Sequence, residues 1–249
     1  MRFQCLAAMT PLCIVAVSLA CGGRHDNTRV SPDVLLFNGT GTSPNDVAAI
    51  EKLLEGSRIG YSTADSAQLN AMSGPKMRGY RLLIMPGGNF IDMGNSLTAG
   101  ATANVRSAVR GGLNYLGICA GGFLAGKYNQ NSLDLAGGVK FGFYAAESRG
   151  IRNAAVAIES PGSPTLDQYW EDGPEFSGWG AVVAMYPDKT PAIVEGTFGK
   201  GLIILSGIHA EAPETWRRGM TFRTPAEVDN GYAATLISAA LNRTPLPHY

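Results

Sequence analysis

The sequence is poor in the residues that bind metals and form disulfides. It contains 4 cysteines and 3 histidines in 249 residues, and no C-x-x-C pair. Structural zinc sites draw about four ligands from these two residue types. Of the histidines, His25 lies in a polar segment and His248 is the penultimate residue, so the domain interior keeps only His209 and Cys119. We therefore expect no metal site and no other cofactor.

Excess charge of either sign is also missing. The chain has 20 basic and 20 acidic residues and a formal net charge of zero. Proteins that bind nucleic acid neutralise phosphates with clustered Lys and Arg, and the sequence has no such cluster, so we exclude nucleic acid as a partner. Internal repeats, heptads and low-complexity segments are missing too. With 45% apolar residues, the composition is that of a globular protein with one substantial domain.

The first residues have the pattern of an export signal. Arg2 precedes an apolar stretch that Thr10 and Pro11 interrupt, and this stretch is too short to span a membrane well. Residues 1–20 therefore predict a signal peptide. Two of the four cysteines, at positions 5 and 13, would leave with it.

Two cleavage modes fit the end of this signal. The sequence "SLAC" resembles a bacterial lipobox, with Cys21 as the residue that carries the lipid. Alternatively, Ser18 and Ala20 are small residues at the spacing that ordinary signal peptidase requires. We expect an exported lipoprotein in the periplasm or at the cell surface, and otherwise a secreted protein. Residues 21–32 are a polar tether, and the lipid would be the only contact with a membrane.

Residues 33–249 predict one α/β domain. Apolar runs alternate with helical segments in the first half, which is typical of βαβ units and a mostly parallel sheet. "SPNDVAAIEKLLEG" predicts a helix that Ser43 caps, with Asp46 closing a capping box, and "TPAEVDNGYAATLISAALN" predicts a helix capped by Thr224 and Glu227. Short apolar runs in the second half predict an extension of the sheet and a β-rich flank.

The stretch "YLGICAGG" places Cys119 at a strand end before small residues, which is the arrangement of a nucleophile elbow. Gly117, Ala120 and Gly121 lack the bulk that would clash at so sharp a turn. The helix that follows directs a partial positive charge at the sulfur, and the N–H of Ala120 can face an oxyanion. An exported protein normally pairs its cysteines, so we interpret this unpaired cysteine as a nucleophile rather than a core residue.

His209 is the candidate base for this thiol, because it also follows a β run, in "LIILSGIHAE". Glu211 can orient its imidazole as the third member of a triad, and Glu214 is the alternative. In "IMPGGNF", Gly87 and Gly88 offer unhindered N–H groups that can complete an oxyanion hole.

Other residues near these motifs are candidates for the substrate pocket. They are Asn89, Gly121, Tyr169 and Trp170. The neighbouring acidic pair Glu171 and Asp172 can meet a cationic group. "NGTGTSP" lacks the third glycine of a dinucleotide-binding loop, so we do not expect a nucleotide there.

Taken together, "MPGG", "YLGICAGG" and "SGIHAE" resemble the motifs of class I glutamine amidotransferases. Within that superfamily, "GICAGGFLAG" and "DQYWEDGPEF" are most similar to the amidotransferase-like domain at the N-terminus of biotin–protein ligases. The resemblance implies a flavodoxin-like three-layer sandwich. It also implies a triad of Cys119, His209 and Glu211, with the oxyanion glycine at Gly87 or Gly88.

Several positions depart from the amidotransferase pattern. Gly121, Gly122 and Phe123 stand where amidotransferases hold glutamine, "HAE" replaces "HPE", and the 249 residues include no synthetase or ligase domain. Glutamine hydrolysis that supplies a synthetase is therefore not implied.

Three functions remain open. We expect an exported hydrolase or amidotransferase-like protein that acts through a cysteine acyl-enzyme on an amide bond of a small molecule or peptide. The alternative is a surface-anchored ligand-binding module that lacks catalysis. A third is a redox or glyoxalase-type relative, for which an early helix supplies an acid such as Glu51 or Glu55. The sequence does not determine the oligomeric state.

Overall fold

The computed structural model describes residue 1 and residues 32–127, 131–144 and 149–249. By its contacts the chain divides into residues 1–30 and 31–249. The predicted signal peptide, lipid attachment at Cys21 and all but the last residue of the predicted tether lie outside the described residues. None of the described helices has the length and apolar character needed to cross a bilayer.

Eleven strands and seven helices are described. The strands are β1 (Val34–Phe37), β2 (Tyr61–Ala64), β3 (Leu82–Met85), β4 (Asn114–Ile118), β5 (Lys140–Phe143), β6 (Asn153–Ile158), β7 (Leu166–Glu171), β8 (Pro174–Ser177), β9 (Ala181–Met185), β10 (Pro191–Phe198) and β11 (Gly201–Ser206). The helices are α1 (Pro44–Gly56), α2 (Ser66–Ala71), α3 (Gly74–Met77), α4 (Phe90–Ser96), α5 (Ala99–Arg110), α6 (Ala120–Leu124) and α7 (Ala226–Asn242).

A seven-stranded sheet with the order β2-β1-β3-β4-β11-β10-β9 forms the centre of the domain. The pairs from β2 to β11 are parallel, whereas β10 and β9 add antiparallel strands at one side. Two small antiparallel sheets, β5-β8 and β6-β7, form the flank. The predicted α/β class, mostly parallel sheet and β-rich second half are confirmed.

Helices cover both faces of the sheet, because successive strand side chains point to opposite faces. Leu36 and Ile84 contribute to one buried cluster, to which α1 and α7 add their apolar faces. Their neighbours Leu35 and Leu83 contribute to a second cluster with residues of α2, α3 and α5. The fold is thus a three-layer sandwich, and the carboxyl ends of β1, β3, β4 and β11 meet at one edge.

Both ends of the predicted first helix are confirmed, but its capping box is only half formed. The Ser43 hydroxyl accepts a hydrogen bond from the backbone N–H of Asp46 at 3.3 Å. The N–H of Ser43 itself donates to the carbonyl of Gly87 at 3.0 Å, so the Asp46 carboxylate does not return to it. That carboxylate instead lies close to the imidazole of His209.

The capping box predicted for α7 is not present. Pro225 is the N-cap, and no side chain caps the helix. The Thr224 hydroxyl instead donates to Asp229 at 3.1 Å or to the carbonyl of Asp167 at 3.2 Å. Tertiary partners compete here with the local motif, because Thr224 lies against β7 as well as α7.

The strands β7 and β8 were not predicted, since "LDQYWEDGPEFSGWG" is rich in polar and turn residues. Asp167 and Gln168 are nevertheless buried in β7. Arg223 makes a hydrogen-bonded ion pair with Asp167 at 2.7 Å, and Gln168 donates to Asp229 at 3.3 Å. These distant partners allow polar residues to occupy a buried strand.

Candidate active site

Cys119 lies at the carboxyl end of β4 in a backbone conformation that L-residues rarely adopt, with φ 48° and ψ −105°. Its N–H donates to the carbonyl of Ser206 on β11 at 2.7 Å. The glycines around it are required by close backbone contacts. A Cβ on Gly117 would lie 2.5 Å from the carbonyl oxygen of Gly121, and one on Gly121 would collide with the carbonyl of Met85. The sharp strand–turn–helix of a nucleophile elbow is therefore present.

His209 follows β11 and shares a cavity with Cys119. Its backbone N–H donates to the carbonyl of Tyr169 on β7 at 2.8 Å, and its Nδ1 lies 2.7 Å from Oε1 of Glu211. The side chains of His209 and Glu211 are 5% and 2% exposed. Glu214, the alternative third member, has a side chain that is 81% exposed and lies beside Arg217 instead. The geometry thus brings together Cys119, His209 and Glu211.

A second carboxylate, which the sequence did not reveal, reaches the same imidazole. Oδ2 of Asp46, in the first turn of α1, lies 3.1 Å from Nδ1 of His209. Gly87 makes this approach feasible, because a Cβ at that position would collide with Oδ2 of Asp46. The acids proposed for a glyoxalase-type site are elsewhere: neither Glu51 nor Glu55 lines the cavity.

The two carboxylates dominate the electrostatics of the imidazole. Burial alone would lower the pKa of His209, but Asp46, Glu211 and the sulfur of Cys119 outweigh it, and the pKa lies well above the usual value. Burial, reinforced by the charge of Asp46, raises the pKa of Glu211 to about 7, although His209 opposes the shift. The two carboxylates therefore favour the protonated form of the imidazole, which is the form that exists once a proton has moved from the thiol to Nε2.

Asp46, His209 and Glu211 are the one group of three metal-ligand types that lies close together in the described residues. Zinc holds nitrogen and oxygen ligands at about 2.1 Å in a tetrahedron, which separates two ligand atoms by about 3.4 Å. The 2.7 Å between Nδ1 of His209 and Oε1 of Glu211 is shorter than that and is an ordinary hydrogen-bond distance. The geometry therefore fits a shared proton better than a shared metal ion.

The family is decided by a sequence comparison. Residues 32–163, more than half of the chain, match the family described as "Biotin-protein ligase, N terminal". The chain belongs to this family. The matched segment includes Asp46 and Cys119, whereas His209 and Glu211 lie beyond it.

A curated relative of this biotin–protein ligase N-terminal family member is the biotin–protein ligase of Schizosaccharomyces pombe. The two are 26% identical over an alignment of 159 residues, and the match covers 52% of this chain and 25% of the ligase. The matched region thus spans a quarter of the length of that ligase.

Solved structures show the same fold at low sequence identity. A glutamine amidotransferase from Thermotoga maritima has a TM-score of 0.56 and 12% identity, over 85% of this chain and 98% of that one. An exo-β-1,4-mannosidase from an Opitutaceae bacterium has a TM-score of 0.55 and 15% identity, over 85% of this chain and 36% of that one. These likenesses show the fold, and the predicted resemblance to the N-terminal domain of biotin–protein ligases is confirmed by the family match.

In this family member, the cavity at Cys119 has a volume of about 570 Å³. Two aromatic groups face it. In the first, the ring centroids of Phe90 and Phe123 stack at 4.7 Å. In the second, the ring of Trp216 lies 5.9 Å from that of His209 and 5.6 Å from that of Tyr169. Trp216 was not predicted, because it belongs to the loop after β11, where no motif marks it.

The predicted pocket residues divide into two sets. Asn89 and Tyr169 line the cavity, as do Glu171 and Asp172. Trp170 does not, because alternate residues of β7 face opposite ways, and its ring is fully buried, with its indole N–H donating to the carbonyl of Gly173. Gly121 is also outside the lining, where it packs against β3.

The glycines predicted for an oxyanion hole have different positions. Gly88 and Ala120 line the cavity, and within the described part of the chain the backbone N–H of neither has a hydrogen-bond acceptor. Gly87 does not line it, because it provides space for Asp46 and His209. Gly88, with φ 142°, occupies a backbone region that favours glycine.

Proposed function

We propose that this protein hydrolyses an amide bond of a small molecule or peptide through an acyl-enzyme on Cys119. The observation that carries the proposal is the elbow at Cys119 in one cavity with His209, whose Nδ1 is hydrogen-bonded to buried Glu211. Because Nδ1 faces the carboxylates, Nε2 is the ring nitrogen available to exchange a proton with the thiol.

The proposed reaction has two halves. Nε2 of His209 takes the thiol proton, the sulfur attacks the amide carbon, and a C–S bond forms. The C–N bond then breaks as His209 protonates the leaving amine. In the second half, Nε2 takes a proton from water, the resulting hydroxide attacks the thioester, and the C–S bond breaks. The proton returns to the sulfur, and the products are a carboxylic acid and an amine.

Two backbone N–H groups are placed to stabilise the negative charge that forms on the substrate oxygen in each half of the reaction. The N–H groups of Gly88 and Ala120 line the cavity and have no acceptor among the described residues. An oxyanion in the cavity would provide one, and donors fixed in place before the reaction stabilise a transition state more than a ground state.

The size and lining of the cavity suit a substrate with an apolar or aromatic group next to its amide. Its volume of about 570 Å³ is within the range of small-molecule sites. Phe90, Phe123, Tyr169 and Trp216 provide flat apolar walls. Glu171 adds a carboxylate, which suits an amine on the substrate or on the leaving group, whereas Asp172 is paired with Arg152, which also lines the cavity.

The test is a screen of amides and short peptides for release of the amine. We expect Cys119→Ala and His209→Ala to abolish any hydrolysis that the wild type shows. The matched control is Glu214→Gln, an exposed carboxylate in the same loop, and it should retain full activity. Hydrolysis that survives both active-site substitutions would exclude this mechanism.

One observation favours the alternative of a ligand-binding module without catalysis. Sγ of Cys119 donates a hydrogen bond to the backbone carbonyl of Glu171 at 3.6 Å, which is a contact of a neutral thiol. Alkylation of Cys119 by iodoacetamide, followed by peptide mass spectrometry, separates the two functions. If Cys119 is a nucleophile, it should react faster near neutral pH in the wild type than in His209→Ala. If it is only a pocket residue, it should react equally slowly in both proteins.

We also propose export and lipid attachment at Cys21. Support comes from the apolar signal after Arg2 and from the lipobox-like "SLAC". Labelling of expressing bacteria with a palmitate analogue should mark the wild type but not Cys21→Ala. Label that persists in Cys21→Ala would contradict the attachment site.

A further inference from the structure

We propose that Asp46 is a second positioning carboxylate, which shares the Nδ1 proton of His209 with Glu211, so that the site is a tetrad rather than a triad. This inference deepens the proposed function and rests on it. The geometry is direct: Nδ1 of His209 lies 2.7 Å from Oε1 of Glu211 and 3.1 Å from Oδ2 of Asp46.

The position of Asp46 is fixed by three features of the chain. Pro44 opens α1, which places Asp46 in the first turn. The backbone N–H of Ser43 donates to the carbonyl of Gly87 at 3.0 Å and ties this turn to the end of β3. Gly87 then leaves room for the carboxylate, because a Cβ there would collide with it. The helix start and the strand end therefore aim Asp46 at His209.

The buried carboxylate of Asp46 has His209 as the partner that compensates its charge. Its side chain is 2% exposed, and within the described residues Oδ1 has no hydrogen-bond partner. A buried carboxylate without compensation is strongly unfavourable. Oδ2 has His209 as its ionisable partner, so the ion pair with a protonated imidazole is what stabilises this charge.

A purely structural role for Asp46 is the competing explanation. An acidic residue in the first turn of a helix stabilises the helix dipole, and an exposed side chain does this well. That role requires neither burial nor contact with an imidazole. It also predicts that removal of Asp46 leaves the protonation of His209 unchanged, and this difference is measurable.

The groups that face His209 determine what its titration reports. They are Asp46 from α1, Glu211 from its own loop, Cys119 from the elbow and the hydroxyl-bearing ring of Tyr169 from β7. Two carboxylates beside one imidazole cannot both stay charged at little cost when all three are buried. In agreement, the negative charge of Asp46 contributes to raising the pKa of Glu211 to about 7.

The experiment follows the protonation of His209 by ¹⁵N NMR of histidine-labelled protein, assigned by comparison with His209→Ala. The variants are Asp46→Asn, Glu211→Gln and the double variant. Glu51→Gln is the matched control, since it removes a carboxylate from the same helix outside the cavity. We expect Asp46→Asn to lower the midpoint of the His209 titration by roughly 1–3 pH units. The double variant should lower it further than either single variant.

Two results would overturn the inference. One is an Asp46→Asn midpoint equal to that of Glu51→Gln. The other is a Glu211→Gln midpoint equal to that of the double variant. If Asp46→Asn does not fold, Glu211→Gln alone tests the inference. In that variant the remaining Asp46 should keep the midpoint of the His209 titration above the usual value of about 6.5. A midpoint at or below that value contradicts a role for Asp46.

The outcome is separable from that of the proposed function. A shifted titration without hydrolysis of any amide would contradict the catalysis and leave the positioning of His209 by Asp46 in place. Hydrolysis with an unshifted Asp46→Asn titration would contradict the tetrad and leave the triad.

Discussion

Gly87 occupies the position from which a side chain would displace His209: a Cβ atom at residue 87 would lie 2.6 Å from Cε1 of the imidazole. The same atom would collide with Asp46. The glycine of "MPGG" therefore has a packing reason that is independent of any oxyanion. It links the end of β3 to the position of His209 on the neighbouring loop.

Gly87→Ala is expected to move the imidazole and to destabilise the fold by about 1–3 kcal/mol, as overpacking of a filled site does. Cys119 should become less reactive toward iodoacetamide, approaching His209→Ala. Urea unfolding and alkylation rates measure the two effects. Gly56→Ala is the control, because a Cβ at Gly56 meets nothing within 4 Å. A Gly87→Ala protein as reactive and as stable as this control would show that the contact is unimportant.

Stability should fall as the pH rises from about 4.5 through about 7. The pKa of Glu211 is raised from 4.5 to about 7, so the folded protein binds this proton more tightly than the unfolded chain. The stability from this group is complete below about pH 4.5 and is lost by about pH 7. His209, whose pKa is also raised, acts in the same direction above its unfolded value of about 6.5.

Glu211→Gln removes the titrating proton of that carboxyl and should flatten this part of the stability profile. Urea unfolding at several pH values between about 5 and 8 measures it. Glu214→Gln should keep the wild-type slope, since its side chain is largely exposed. An equal slope in wild type and Glu211→Gln would contradict the raised pKa.

Cys119→Gly should be more stable than Cys119→Ala by about 1 kcal/mol. Both variants remove the sulfur, but only alanine keeps a Cβ in the conformation with φ 48° and ψ −105°. Such backbone strain costs roughly 1–3 kcal/mol, and the greater freedom of glycine in the unfolded chain offsets about 0.4–1 kcal/mol of the gain. Equilibrium unfolding of the pair measures the difference, and a more stable alanine variant would exclude strain at the elbow.

Arg217→Ala should destabilise the domain by about 3–5 kcal/mol, because it leaves buried Asp229 without its cation. Nη2 of Arg217 lies 2.9 Å from Oδ2 of Asp229 and 2.8 Å from the carbonyl oxygen of Thr224. The neighbouring Trp216 should lose its contacts with His209 and change its fluorescence, which a Trp216→Phe background identifies. Exposed Arg218→Ala is the control, and equal unfolding free energies for the two would refute the role of this ion pair.

The parts of the site that could be predicted from the sequence are those encoded locally. Cys119 lies at a strand end before small residues, and His209 and Glu211 are two positions apart, so short motifs reveal them. Asp46 could not be found in this way. Its place in the first turn of a helix already has a local explanation, and its contact with His209 depends on how α1 docks against β3 and β11. Trp216 was missed for a related reason, because the ion pair of Arg217 and Asp229 positions its loop.

The same distinction holds for the fold. Alternation of apolar runs and helices predicts the parallel sheet, since each element carries its own pattern. The strand β7 was missed because Asp167 and Gln168 are buried, and their partners Arg223 and Asp229 come about sixty residues later. Polar residues in a buried strand are consistent with the fold only when such partners are known.

The order of the central sheet also determines when Cys119 and His209 can come together during synthesis of the protein. The strand β11 lies between β4 and β10, although it is the last strand of the chain to emerge. Until β11 has joined the sheet and residues 207–211 have followed it, Cys119 lacks its neighbour His209 and its N–H lacks the carbonyl of Ser206. A growing chain therefore carries a thiol without its neighbouring imidazole, and the proposed nucleophile and base meet only after residue 211 has emerged.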